Sequence, residues 1–418
     1  MKRSRGLLLL VGFLASGVAT ADGEVPSTDR VSGHKPPPLE GIETIEDIPR
    51  FYRSMDGGEE MVGKYPARIV RGAEILQNDV DFVYQCWLGM EGLYRRDYKT
   101  TQTIFEQVNE RWPSSGIAPV GRALTWQALM LENFDFRYDS QYTLAFKKSR
   151  QSLTAALQVP GNDVWETFLL GAMLGVDAIH TMRKEEYLTA VNRGLEAMRY
   201  VAQAAEMAPD FVDARLGDGL WLYWRSVLSM NMKGIPGFDD ERAKGIEMMR
   251  KAQRESVFLR PAAGHALTYT WIEEGRMNQA LGLARALTDS YPNNIINRLV
   301  LGRIQMYKRM YPESEATYQG ILAADDDNRR VHYYLQRLYL RWNKLDKSIE
   351  HADTYLAFEH LTDTQRAYAH YHKGNAYMKR NDLDNAETEF KLAWKTDRLK
   401  RAKERLERVE QKRAAAQN

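Results

Sequence analysis

Cysteine is nearly absent from this chain. Cys86 is the only one in 418 residues, so no intrachain disulfide can staple the fold, and stability has to come from packing. Cys86 stands between Tyr84, Trp87 and Met90 with no CxxC partner and no basic neighbour to activate a thiolate, which makes it a small packing residue. Long apolar runs are missing as well, which excludes a protein with several membrane spans. Charge of one sign is not in excess either: 58 Lys plus Arg face 56 Asp plus Glu, and this near-neutral chain is read as having no nucleic-acid partner.

The recognisable sequence forms of catalysis are also lacking. There is no GxSxG, no phosphate loop, no HExxH and no dinucleotide fingerprint, so the chain is expected to be no enzyme and to carry no cofactor. Gly217-Asp218-Gly219 lies inside a helical pattern and reads as a place where two helices approach closely. Five of the eight histidines fall between His332 and His372. His370 and His372 are two residues apart, about 200° around a helix, and cannot bind one ion from the same face. His332 and His370 share a repeat position and are expected to form a packing pair, with no metal.

What is present begins with the two ends. Lys2, Arg3 and Arg5 precede the apolar run Leu7 to Val18, and Ala19-Thr20-Ala21 places small residues where a signal peptidase reads, so residues 1–21 are expected to be a cleaved secretory signal. Without those three cations the chain would carry 55 basic against 56 acidic residues. Val18 stands where a lipidated Cys would follow Leu14-Ala15-Ser16-Gly17, which argues against a lipid anchor. Residues 22–66 carry ten acidic and five basic residues with Pro36-Pro37-Pro38 and Gly57-Gly58, and read as a linker. Residues 398–418 carry eight basic and three acidic residues and read as a basic terminal helix.

Between these ends the chain is periodic. Helix-pair units begin at Pro261, Ile295 and Arg329, 34 residues apart, and a fourth begins at Ala367 after four extra residues. Aligned, they put Gly302 and Gly374 at repeat position 8, Ala280, Ser314, Ser348 and Ala386 at position 20, and Tyr318 and Phe390 at position 24. Small residues recur where helices cross closely and aromatics recur where a gap must be filled. Gly275, Asn343 and Asn381 fall at position 15, between the helices, and Pro292 at position 32, where no helix continues. Gly89, Phe105, Val108 and Pro113 fit positions 8, 24, 27 and 32 of a unit starting at Phe82. Residues 67–209 thus read as divergent helix pairs, 210–260 as a unit with a long insertion at 229–240, and 261–397 as four regular units.

At these residues the chain resembles the tetratricopeptide (TPR) family, strongly over the last four units and weakly over the middle three. It departs from the family at position 4, where Gly264, Arg298, His332 and His370 replace the usual Trp. The resemblance implies an all-α fold, a right-handed α-solenoid of about eight TPR-like helix pairs closed by a C-terminal capping helix. It also implies that positions 2, 5, 9, 12 and 13 of each first helix line a concave groove. Carried onto this chain they give His265, Tyr269, Glu273, Arg303, Tyr307, Arg330, Tyr333, Arg337, Arg341, Tyr371, Asn375 and Lys379. Tyr and Arg anchor partners at low entropic cost, and guanidiniums suit carboxylates, so the expected partner is a protein or peptide, acidic in character. The chaperone-tail clamp of some family members is not supported, because its five positions hold His265, Tyr269, Val300, Arg330 and Tyr334, of which only Arg330 fits.

The expectation is therefore a non-enzymatic scaffold of a cell envelope, exported and soluble after signal cleavage, holding an extended segment in its groove. Met230, Met232, Ile235 and Phe238 offer a second contact in the insertion, since long loops between packed helices are often functional. Two other readings stay open: weak membrane-surface binding through the terminal helix, and the accessory solenoid of a cell-wall enzyme.

Overall fold

The structure is a computed structural model that describes residues 61–160, 164–229 and 239–417. The expected signal, most of the expected linker and the insertion residues Met230, Met232, Ile235 and Phe238 lie outside them. A short antiparallel hairpin opens the described chain, β1 (Met61–Val62) with β2 (Tyr65–Pro66). The end of the expected linker is therefore held in place: the Tyr65 hydroxyl donates to Asp81 Oδ1 at 2.6 Å, and Arg111 binds the other oxygen at 2.5 Å.

Helices follow in order: α1 (Ala67–Ile75), α2 (Val80–Arg95), α3 (Tyr98–Arg111), α4 (Ala118–Asn133), α5 (Asp139–Ala156), α6 (Val164–Arg183), α7 (Tyr187–Met207), α8 (Val212–Ser229) and α9 (Arg242–Glu255). The regular region continues as α10 (Arg260–Glu273), α11 (Met277–Ser290), α12 (Ile295–Tyr307), α13 (Tyr311–Leu322), α14 (Arg329–Trp342), α15 (Leu345–Ala357), α16 (Asp363–Lys379), α17 (Leu383–Asp397) and α18 (Lys400–Gln417). After α1, successive helices pack as the pairs α2–α3, α6–α7, α8–α9, α10–α11, α12–α13, α14–α15 and α16–α17, and α18 packs against α17 as the expected cap. The apolar stripe of α18, Ala402 and Val409, is buried in that packing.

The repeat template has a physical basis in each unit. A Cβ built on Gly302 would lie 2.6 Å from the Tyr318 ring, and one on Gly374 2.7 Å from the Phe390 ring. Position 8 must therefore lack a side chain wherever position 24 is a large aromatic. Position 20 does more than stay small. Thr101, Ser314 and Ser348 donate through their hydroxyls to the position-8 carbonyls of Gly89, Gly302 and Gln336, at 3.2, 2.8 and 2.8 Å. These bonds tie the second helix of a pair to the first without widening the crossing.

Position 15 takes the left-handed conformation in five units: Arg96, Gly275, Arg309, Asn343 and Asn381 all have φ between 60° and 70°. That residue reverses the chain between the two helices. The four extra residues before Ala367 are absorbed as an additional first turn of α16, which starts at Asp363 behind a capping box of Thr362 and Gln365. In the middle of the chain, Gly219 and Gly245 face each other's carbonyls across the α8–α9 crossing, the close approach expected of Gly217-Asp218-Gly219. Cys86 is buried, and burial pushes its thiol well above the usual range.

The described residues divide into two compact units, those of 61–129 with 138–294, and those of 130–137 with 295–417. The first holds an ionic network under α5 and α6. His180 Nε2 lies 2.6 Å from Asp139 and its Nδ1 3.1 Å from Gln127, while Asp177 accepts from Tyr142 and Arg193 at 3.3 and 3.0 Å. Both imidazole nitrogens are engaged, so this His–Asp pair has no ring nitrogen left to act as a base towards a nucleophile.

Candidate functional site

In the second unit, three successive first helices bring the expected residues together. Arg303 and Tyr307 project from α12, Arg330, Tyr333, Arg337 and Arg341 from α14, and Tyr371, Asn375 and Lys379 from α16. Spacings of three and four residues place them on one stripe of each helix. The centre of the group is Tyr307. Arg337 Nη2 donates to its hydroxyl at 3.1 Å, and the guanidiniums of Arg341 and Arg303 lie over its ring at 4.9 and 5.6 Å.

Three cations around one phenol govern its ionisation. Burial would raise the Tyr307 pKa, but Arg337, Arg303 and Arg341 outweigh it and bring the hydroxyl down to about 7. Next to it, Arg337 also lies over the Tyr333 ring at 5.6 Å, and the Tyr333 hydroxyl is 3.4 Å from His372 Nε2. Burial, and after it the charges of Arg337, Arg341 and Arg401, push His372 well below its usual value, so it is neutral at physiological pH. The site is a strongly electropositive, aromatic-lined patch.

Its exposure is uneven. Arg303, Arg330 and Arg337 are only 6%, 5% and 4% exposed, whereas Arg341 and Lys379 are open to solvent. The cause is local covering. Arg337 is sandwiched by the Tyr307 and Tyr333 side chains, and Arg330 is covered by a stretch of the same unit, residues 130–137, remote in sequence. Arg330 Nη1 donates to the Leu131 carbonyl at 2.8 Å and its guanidinium lies over the Phe134 ring at 5.3 Å. Beside it, Arg329 Nε and Nη2 donate to the carbonyls of Asn133 and Phe134 at 3.1 and 2.5 Å, and Gln365 adds a bond to Phe134 O at 3.2 Å. The N-terminal ends of α14 and α16 thus already grip a piece of main chain.

The other expected residues are placed as follows. Asn375 turns back onto the Tyr371 carbonyl of its own helix at 2.8 Å, and Lys379 Nζ reaches the Leu340 carbonyl at 2.9 Å. Tyr371 is buried against Phe390. His265 and Tyr269 belong to α10 in the first unit, where their rings meet at 5.6 Å, and Glu273 ends that helix. The register missed His372, Arg329 and Gln365; the pair Arg329-Arg330 directly after the N-cap Asn328 was a signal for a cationic helix start.

The expected His332–His370 pair does not form. His332 Nδ1 instead meets His351 Nδ1 at 3.1 Å, and His370 Nδ1 meets Glu389 at 2.7 Å beside Lys373. In both units position 4 contacts position 23 of its own second helix, because a helix pair packs more intimately than neighbouring pairs at this level. Among the described residues, no group of three or more His, Cys, Asp or Glu is arranged to hold a metal ion.

No protein-family model matches the chain, and no curated protein matches it. Solved structures do. A human IFIT1 dimer with PPP-AAAA is 12% identical, with 78% of this chain and 76% of that one covered and a TM-score of 0.40. Cut9 with Hcn1, an APC/C hetero-tetramer, is 13% identical over 79% and 76% with a TM-score of 0.42. The TPR domain of P58(IPK) is 12% identical over 81% and 99% with a TM-score of 0.26. At these values the architecture rests on the chain's own helix pairing and 34-residue period.

Proposed function

We propose, taking an array of TPR-like helix hairpins as the premise, that this chain is a non-enzymatic scaffold that holds an extended acidic segment of a partner protein on the inner helices of its last repeats. One observation carries the reading: Arg303, Arg337 and Arg341 converge on Tyr307 from two successive first helices. Arg341 and Lys379 are the solvent-facing cations that meet the partner first. The buried guanidiniums behind them sustain the potential, and aromatic rings give flat apolar contact. An envelope location follows from the leader-like sequence Lys2 to Ala21.

The test uses the full-length chain, immobilised and offered a panel of Asp/Glu-rich and neutral peptides. Acidic peptides bind, and Arg341→Glu with Lys379→Glu removes that binding. Reversal of Lys347 and Lys391, exposed on second helices, leaves it within twofold. Equal loss in both double variants rejects a specific surface and leaves nonspecific attraction.

A further inference from the structure

We infer that His332 and His351 form a two-imidazole site for one divalent transition ion of the borderline class, copper, nickel or zinc, whose remaining positions are filled by water. The site lies within one helix pair of the second unit, His332 in the first turn of α14 and His351 in the middle of α15. Their Nδ1 atoms stand 3.1 Å apart. Two nitrogens bound at about 2.0–2.1 Å are separated by roughly 2.9 Å at a right angle and roughly 3.4 Å at the tetrahedral angle, so the pair already has the bite of such an ion.

The protonation state suits a metal. Burial lowers both rings from their ordinary value, and His332 and Lys347 lower His351 further, to about 4, while Asp327 acts the other way on His332 and Glu315 on His351. Both imidazoles are therefore neutral near pH 7, the form that ligates. Without an ion, one Nδ1 carries the proton of the hydrogen bond that the rings share. Moving that proton to Nε2 of the same ring frees both lone pairs with no net change in protonation, and the ion takes the proton's place. Of the charges that act on the pair, Asp327 and Glu315 favour a dication and Lys347 opposes it.

The surroundings hold the rings in place. His351 stacks on Tyr339 at 5.4 Å with 15° between the planes, and His332 lies against Phe358 at 5.9 Å. Tyr339 is itself fixed by donating to Glu315 at 2.5 Å. Both histidines are half-buried, so water reaches the pair and can complete the coordination. The other engaged imidazoles differ: His370 shares Glu389 with the Lys373 ammonium, and His180 is buried between Asp139 and Gln127. Two protein ligands are fewer than the three or four of a permanent zinc centre, so the ion is exchangeable and its occupancy follows the free metal concentration.

Titration of the full-length chain with copper, zinc and magnesium chlorides tests the inference, read by calorimetry and, for copper, by electron paramagnetic resonance. One copper ion binds, at least about tenfold more tightly than zinc, and magnesium does not bind. The copper spectrum shows coupling to two nitrogens, which falls to one in His332→Gln and in His351→Gln, and each variant loses at least about tenfold in affinity. His360→Gln, at a ring whose side chain is 89% exposed, leaves both readings unchanged. The nitrogen count is taken on bound protein, so it is read separately from any loss of stability. Copper held equally well after both histidines are replaced is an adventitious ion only and overturns the inference, as does the absence of binding at about 0.1 mM copper. Neither substitution touches Arg341 or Lys379, so the acidic-segment reading stands or falls separately.

Discussion

Arg337 donates to the hydroxyl of Tyr307 at 3.1 Å, joining the first helices of two neighbouring repeats through a cation and a phenol. With Arg303 and Arg341 close by, the phenol titrates near 7, where free tyrosine titrates near 10. Ultraviolet absorbance at 295 nm should show one tyrosine ionising around neutrality, and Tyr307→Phe should remove that step. Arg341→Gln should move it upward. The sign for stability follows: the folded pKa is depressed, so the unfolded chain binds more protons between 7 and 10 and the contribution grows over that window. A neutral-range step that survives Tyr307→Phe would refute the assignment.

The close helix crossings set the next expectation. Gly302→Leu forces a side chain against the Tyr318 ring and should cost on the order of 1 to 3 kcal/mol by overpacking. Ser348→Ala strips the Gln336 carbonyl of its 2.8 Å donor and should cost about 1 kcal/mol. Cys86→Ser should cost less than Gly302→Leu, because it replaces one small atom. Urea midpoints rank the three variants, and a larger loss at Cys86 would contradict this account.

Arg309 bears a left-handed backbone with φ of 60° between α12 and α13, where Gly275 serves the corresponding turn with φ of 70°. Arg309→Gly should raise stability by roughly 1 kcal/mol, since the strain of a Cβ in that region is removed. Gly275→Ala should lower it by a similar amount. Opposite signs in thermal melts are the result that checks this pair.

Acid weakens the fold through buried imidazoles. Burial lowers His180 and His351 to about 4 from an ordinary 6.5. His180 is held by Asp139 and Gln127, while His351 is lowered further by His332 and Lys347 and partly offset by Glu315. Between 6.5 and 4 the unfolded chain takes up protons that the folded chain refuses, so stability falls as pH drops through this window. Each histidine contributes roughly 1 to 3 kcal/mol to that loss. Denaturation midpoints of His351→Gln should show a shallower slope from pH 6.5 to 4; an unchanged slope would exclude the histidine.

How much was legible depended on how far apart the interacting residues are. Gly302 with Tyr318 and Gly374 with Phe390 are sixteen residues apart in one helix pair, and a fixed period exposed both. The position-20 hydroxyl bonds were half legible: Ser314 and Ser348 read as small, but their donation to Gly302 and Gln336 needs backbone directions that spacing does not carry. The His332–His370 expectation failed because a shared register position says nothing about which neighbour an imidazole turns towards; His351 and Glu389, on second helices, were nearer.

The family resemblance implied the stripe of Arg303, Tyr307, Arg337 and Arg341, and the amino-acid order alone determined the helix pairs, their 34-residue period and the turn residues between them. These depend on helical periodicity, steric size and φ preference, all properties of residues close in the chain. Only the tertiary structure decided how exposed that stripe is. Arg330 and the Leu131 carbonyl it binds are 199 residues apart, and Arg329 and Phe134 are 195 apart. Whether a guanidinium faces water or grips a distant stretch of backbone depends on where the packed repeats bring that stretch, which no local pattern records.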